Sequence, residues 1–219
     1  MKLSFILLSL FFLSCGKNVS EGKENEILVE YERPLTVEYY RGILRPMNNH
    51  LSGFLPSGIA EVKIDQKEMT IKTFLDDDAK VTHIQSIHVG NKCPEISDDK
   101  NLDGIIDMKE GLMASGKVYV SLDSDINSEA LGGGLYPMGG GYTYIEKANL
   151  KKFHEDLQIR NLELDFLDRV VIIFGTYKKN NLPQTIDSLG IYPVEKSLPI
   201  ACGVLRKLEW IRPTRWQER

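Results

Sequence analysis

Ile59-Ala60-Glu61-Val62-Lys63-Ile64-Asp65-Gln66-Lys67-Glu68-Met69-Thr70-Ile71-Lys72 alternates apolar and polar residues on both sides of a polar break. Ala60, Val62 and Ile64 alternate with Glu61, Lys63 and Asp65, and after a short polar break Met69 and Ile71 alternate with Thr70 and Lys72. Successive side chains of a strand point to opposite faces, so this pattern predicts two half-buried strands joined as a hairpin. The alternation recurs on both sides. Upstream, Ile27, Val29 and Tyr31, then Leu35, Val37 and Tyr39, read as strands split at Pro34, and Arg45 to Pro56 is turn-rich. Downstream, Val81 to Val89, then Val118, Val120 and Leu122, then Leu162, Leu164 and Phe166 carry the same period. The unbroken run Val170-Val171-Ile172-Ile173-Phe174 predicts a strand buried on both faces, and Ile200 to Leu205 the last strand of the core. Asn149 to Ile159, with Phe153 and Leu157 on one side, predicts a short helix, and Gly111-Leu112-Met113 a brief turn. Short strands with no long helix between them predict an all-β antiparallel sandwich or barrel with long loops.

One of those loops carries a pattern of its own. In Cys93-Pro94-Glu95-Ile96-Ser97-Asp98-Asp99-Lys100-Asn101-Leu102-Asp103-Gly104-Ile105-Ile106-Asp107-Met108-Lys109-Glu110, the residues Asp99, Asn101, Asp103, Gly104, Asp107 and Glu110 fit D-x-[DN]-x-[DN]-G-x5-E, the spacing of a calcium loop. A hard cation takes six to eight oxygens at roughly 2.3–2.6 Å, which short Asp and Asn side chains at alternate positions can aim at one point. Asp99, Asn101 and Asp103 would give the first oxygens and Gly104 the bend. The Ile105 carbonyl would point inward, Asp107 would act directly or through water, and Glu110 would close the shell with both oxygens. Ile106 would plug the loop onto the protein. The competing reading is an acidic solvated turn. His88 to Pro94 is no helix, so the expectation is a calcium loop set into another fold, not a paired EF-hand.

The first residues give an address. Met1-Lys2, an apolar run from Leu3 to Leu13 and then Ser14-Cys15-Gly16 have the form of a secretory signal, too short to span a bilayer. Phe12-Leu13-Ser14-Cys15 resembles the lipobox of bacterial lipoproteins. That implies removal of residues 1–14, lipidation of Cys15 and anchoring to a membrane of the bacterial cell envelope, outer-membrane or periplasm-facing. The alternative is an ordinary secretory peptide with an unpaired cysteine. Gly16 to Asn25 is small, polar and charged, a tether ahead of a single domain over 26–219. With Cys15 given to lipid, the other two cysteines, Cys93 and Cys202, are left as a disulfide pair in an exported chain. The net charge of −4 is mixed along the chain and does not point to nucleic acid.

Three further stretches together resemble the Cu/Zn superoxide dismutase-like β-sandwich and the related chordin-type domains, over roughly Gly58 to Leu205. His83-Ile84-Gln85-Ser86-Ile87-His88-Val89-Gly90 is similar to the approach to that family's His-x-His-x-Gly segment. Arg169 to Phe174 is similar to its Arg-x-x-Val-Val-His strand, and Ile200-Ala201-Cys202-Gly203-Val204 to its last strand. The resemblance implies a Greek-key sandwich and, independently, the Cys93–Cys202 bridge. The departures bear on function. Ser86 stands at the first copper-histidine place with only His88 remaining, Phe174 stands at that of the buried strand, Pro199 replaces the arginine that guides superoxide, and the zinc-loop histidines have no counterparts. A redox copper site needs several imidazoles converging, so the expectation is a scaffold without that site. His83 and His88 differ in parity and should face opposite sides of the sheet, leaving His88 a hydrogen-bonded core or edge residue.

Other chemistry is thinly represented. No G-x-S-x-G occurs, and the triglycine runs at Gly132 and Gly139 lack the Lys-Ser/Thr of a phosphate loop. Asp123, Asp125 and Asn127 form a second acidic cluster without glycine or distal glutamate, read as a solvated turn with a second ion site as the alternative. In the tail, Trp210 and Trp216 interleave with Arg206, Lys207, Arg212, Arg215 and Arg219; the tail either packs on the domain or docks on lipid, glycan or protein. The sequence thus predicts a lipid-anchored, calcium-binding, non-catalytic envelope module with a protein or glycan partner. A degenerate dismutase or copper-handling protein is the alternative, and an inhibitor or adhesin using the long loops a third.

Overall fold

The computed structural model describes residues 37–52, 55–77, 80–127, 134–176, 182–188, 190 and 192–209, and all of them belong to one compact unit that begins at Pro34. The predicted hairpin forms as β2 (Ser57–Ile64) and β3 (Glu68–Asp76), paired from Ser57↔Asp76 to Ile64↔Met69. Asp65 closes its turn by accepting the amides of Lys67 and Glu68. The other strands are β1 (Glu38–Pro46), β4 (Gln85–His88), β5 (Val118–Ser121), β6 (Tyr142–Asn149), β7 (Val170–Phe174), β8 (Pro199–Val204) and the two-residue β9 (Arg206–Lys207).

These strands make one antiparallel nine-stranded sheet in the order β5-β4-β7-β8-β1-β2-β3-β6, curled into a half-barrel, with β9 also on β1. The expected all-β antiparallel class is therefore found, as one curled sheet. The chain crosses the sheet three times, from β3 to β4, from β5 at one end to β6 at the other, and from β6 back to β7 beside β4. β1 joins the two halves. Its residues 38–44 pair with β2, whereas Arg45 and Pro46 pair with Cys202 and Ala201 of β8. The strands come so close there that a Cβ on Gly203 would lie 2.6 Å from the carbonyl oxygen of Ile43.

Periodicity explains where the core sits. Tyr40, Leu44, Ala60, Val62, Met69, Ile71 and Leu75 point into the concave side with Ile87, Val171 and Ile173. The alternate residues Ile84, Val170, Ile172 and Phe174 form a second apolar cluster on the other face of β4 and β7, with Ile106 and Met108. That is why the Val170–Phe174 run is apolar throughout: both of its faces are covered.

Four local readings need correction. Leu162, Leu164 and Phe166 alternate but make no ladder; the segment is irregular, with Phe166 driven into the core against Tyr119 and Phe153. Val81 to Val89 yields a strand only over Gln85–His88. The short helices α1 (Asn49–Ser52) and α4 (Val194–Ser197) punctuate stretches read as loop. The brief turn at Gly111 is the helix α2 (Met108–Ser115). The predicted helix α3 (Leu150–Ile159) is present, capped by Asn149 and burying Phe153 and Leu157. It joins the sheet's two terminal strands through the shared core. Phe153 packs edge-on to Tyr119 of β5, in one cluster with Tyr144 and Ala148 of β6, and Arg160 beyond the helix donates to the Tyr119 carbonyl at 2.8 Å.

Candidate functional site

After β4 the chain leaves the sheet at Gly90, and Cys93 bonds Cys202 of β8 with the Cα atoms 5.9 Å apart, so the expected disulfide is present. It closes a separation of 109 residues, which in the chain-entropy model stabilises the fold by up to about 4–5 kcal/mol. It also ties the start of the acidic loop to the sheet.

Within the loop, short side chains bend the backbone around themselves. Asp99 accepts the amides of Leu102 at 2.7 Å and Gly104 at 2.8 Å; the Asn101 side-chain oxygen accepts the amide of Asp103, and Asp103 that of Ile105, each at 2.9 Å. Such Asx turns are what Asp and Asn at alternate positions favour. Gly104 takes φ +81°, the left-handed bend its place in the pattern requires. Glu110 then reaches back across the loop, accepting the amides of Lys100 at 2.7 Å and Asn101 at 3.2 Å. The two ends of the 99–110 segment are thereby joined. Asp107 and Glu110 form a reciprocal capping box that starts α2, each side chain accepting the other's amide. The signal was in the sequence, since Asp107-x-x-Glu110 is a helix-start spacing.

The loop is also pinned from outside. Ile106 plugs into the second apolar cluster, and Ile105 into a third with Ile186 and Leu198. Buried Asn48 donates to the carbonyls of Ile106 and Pro199 and accepts the Ile106 amide. Asp107 accepts the amide of Asp187, and Asp103 the hydroxyl of Thr185. Neither Asn48 nor the 185–187 contact was legible beforehand, for both lie far from the loop in sequence.

Asp99, Asp107 and Glu110 are buried, and Asp103 is partly so. In this arrangement their oxygens face loop amides, and no three His, Cys, Asp or Glu side chains gather into a metal-holding group among the described residues. A carboxylate oxygen that accepts one N–H keeps a second lone pair. The donor set therefore suits a hard, oxygen-seeking cation in kind, and bringing it to one focus requires the carboxylates to turn inward.

The two strand-proximal histidines do lie apart. Buried His88 packs beside Phe174, ring centres 6.5 Å apart, on the loop-covered face. Its Nδ1 donates to the Gly116 carbonyl at 2.9 Å, leaving Nε2 to accept from the Ser86 hydroxyl at 2.8 Å. Burial pushes its pKa down to about 4, partly offset by the Gly116 contact. This serine–histidine pair is sealed from solvent and lacks an orienting carboxylate, so it has no approach for a substrate. His83 instead stacks on Tyr142 at 5.4 Å, donates to the Phe174 carbonyl at 3.1 Å and faces Asp77 at 3.6 Å.

Asp123 corrects another expectation. Its cluster was read as a solvated turn, but Asp123 is buried, accepting the amides of Asp125 and Gly134 while its carbonyl takes the Tyr144 hydroxyl at 2.7 Å. Cys15, the leader and tether, Gly132, Gly133 and the tail from Trp210 lie outside the described residues. No helix among the described residues is long and apolar enough to cross a membrane. No family model matches the chain, and no curated protein matches it in sequence. The protein is thus an antiparallel β half-barrel carrying a disulfide-tethered acidic loop.

Proposed function

We propose that this chain is a lipid-anchored module of the bacterial cell envelope whose 99–110 loop binds one calcium ion, with no reaction of its own, on a superoxide dismutase-like scaffold. The observation that carries the calcium reading is the closure of the loop by Glu110 onto Lys100 and Asn101. It brings the first and last positions of a full six-position pattern together in a partly buried ring. Asp99, Asp103, Asp107 and Glu110 all belong to that loop, and a divalent cation would draw them towards one focus while the Ile105 carbonyl and Asn101 complete the oxygen set.

The dismutase-like scaffold is supported by the strand order, by the proximity of His88 and Phe174 and by the Cys93–Cys202 bridge. The envelope address is supported by the leader and Ser14-Cys15-Gly16, and by a disulfide that calls for an oxidising compartment.

With an affinity of about 10⁻⁴–10⁻³ M, as in other extracellular modules, ~5 mM calcium would stabilise the fold by about 1–2 kcal/mol. The corresponding rise in melting temperature is roughly 2–8 °C for a domain of this size. Melts in calcium, magnesium and chelator test this. A calcium-specific rise that Asp99→Ala removes supports the proposal, and identical curves in calcium and chelator refute it.

A further inference from the structure

The outer face of the β1-β2-β3-β6 half carries an arrangement that neither folding nor the acidic loop explains. The register sets side chains in rows across the strands. Ile43 lies opposite Ile59, Ile59 opposite Phe74, and one row along Ile145 lies opposite Lys72. Ile43 is 65 % exposed, Phe74 41 % and Ile145 55 %, so an apolar row stands in water on a face where a soluble strand is expected to be polar.

The charges around that row have one dominant sign. Arg41, Arg45, Lys63, Lys72 and Lys147 share the face, and two of its acids are neutralised locally. Glu61 binds Arg41 and Glu68 binds Lys147, each at 2.8 Å, while Asp76 forms no ion pair with a described residue. Lys63 and Lys72 form no ion pair with a described residue. A chain of net charge −4 thus gathers unpaired cations around exposed aliphatic and aromatic side chains on one face.

We infer that this face docks on an anionic phospholipid surface, with Ile43, Phe74 and Ile145 entering the headgroup region and Lys63 and Lys72 pairing with lipid phosphates. The complementarity is of charge and polarity together: each cation near an anionic surface strengthens binding about fivefold, and buried apolar side chains add to it. The inference rests on the envelope-anchored reading, because a chain held at a membrane has a face turned towards it.

The test uses the chain from Gly16 to Arg219, which keeps the whole compact unit and lacks Cys15. It is sedimented in chelator with phosphatidylcholine vesicles containing either no or about a third phosphatidylglycerol. Expected is binding to the anionic vesicles alone, lost in high salt and weakened about 5- to 25-fold by Lys63→Gln with Lys72→Gln. Phe74→Asp should also weaken it, with circular dichroism and melting temperature checking that each variant folds; the lysine pair, lying on the surface, remains informative if Phe74→Asp does not. Absence of binding to anionic vesicles overturns the inference, as does binding that survives the lysine substitutions. A solution dimer abolished by Phe74→Asp would overturn it too, by assigning the face to a second copy of the chain. Failure of the anchor reading is seen separately, as a full chain whose Cys15 carries no acyl mass when recovered from envelope membranes.

Discussion

Lowering the pH from 7 to 5 should destabilise the domain through His88. Its imidazole is fully buried, with Nδ1 donating to Gly116 and Nε2 accepting from Ser86, and its pKa falls from an ordinary 6.5 to about 4. The unfolded chain therefore binds a proton between these values that the folded chain refuses, so stability present at neutral pH is lost as pH falls through that window. The shift amounts to about 3 kcal/mol in full, of which about 2 kcal/mol is gone by pH 5. Carboxylates held below their usual range by hydrogen bonds, Glu38, Asp65 and Asp98, lose their contribution lower still, as pH falls below about 4. Urea unfolding at a series of pH values reads the effect directly, with His88→Gln as the control. The variant should be less stable at pH 7 and nearly flat from pH 6.5 to 4.5. A wild-type slope that persists unchanged in His88→Gln would refute the assignment.

Other consequences follow from single contacts. Replacing both Cys93 and Cys202 by serine should cost about 2–4 kcal/mol and speed hydrogen exchange through the 93–110 segment, measured by denaturation and mass spectrometry. Asn48→Ala leaves the Ile106 amide and two buried carbonyls without partners; it should cost about 2–4 kcal/mol and expose the Ile106 amide to exchange. Phe166→Ala removes a fully buried ring stacked on Phe153 and edge-on to Tyr119, and should cost about 3–5 kcal/mol by urea denaturation.

The β2–β3 hairpin was legible because that half of the sheet is covered on one side only, whereas β6 was not read as a strand and β1 was read through Leu35, Val37 and Tyr39 although its buried side chains are Tyr40 and Leu44. A one-sided strand must alternate, so Ala60, Val62 and Ile64 announce their own register. Val170 to Phe174 was legible for the opposite reason, being covered on both sides. Leu162 to Phe166 misled because an irregular segment laid on a core can turn alternate side chains inward whether or not a neighbour strand pairs with it. Helix α2 escaped because Gly111 breaks its apolar pattern, although the Asp107 and Glu110 spacing marked its start. Asp123 read as solvated because an acid normally is; the amides of Asp125 and Gly134 and the Tyr144 hydroxyl that meet it come from the fold. The acidic loop's sequence predicted its bends but not its anchors, since Asn48 and Asp187 meet it only once β1 and β8 are in place.

Equilibrium dialysis of the disulfide-bonded chain against calcium, with the metal counted per chain, reads out whether the 99–110 loop holds an ion. Expected is saturation at one calcium per chain with a midpoint of about 10⁻⁴–10⁻³ M, and loss of that binding in Glu110→Gln. No uptake at millimolar calcium, or uptake unchanged by Glu110→Gln, would contradict it.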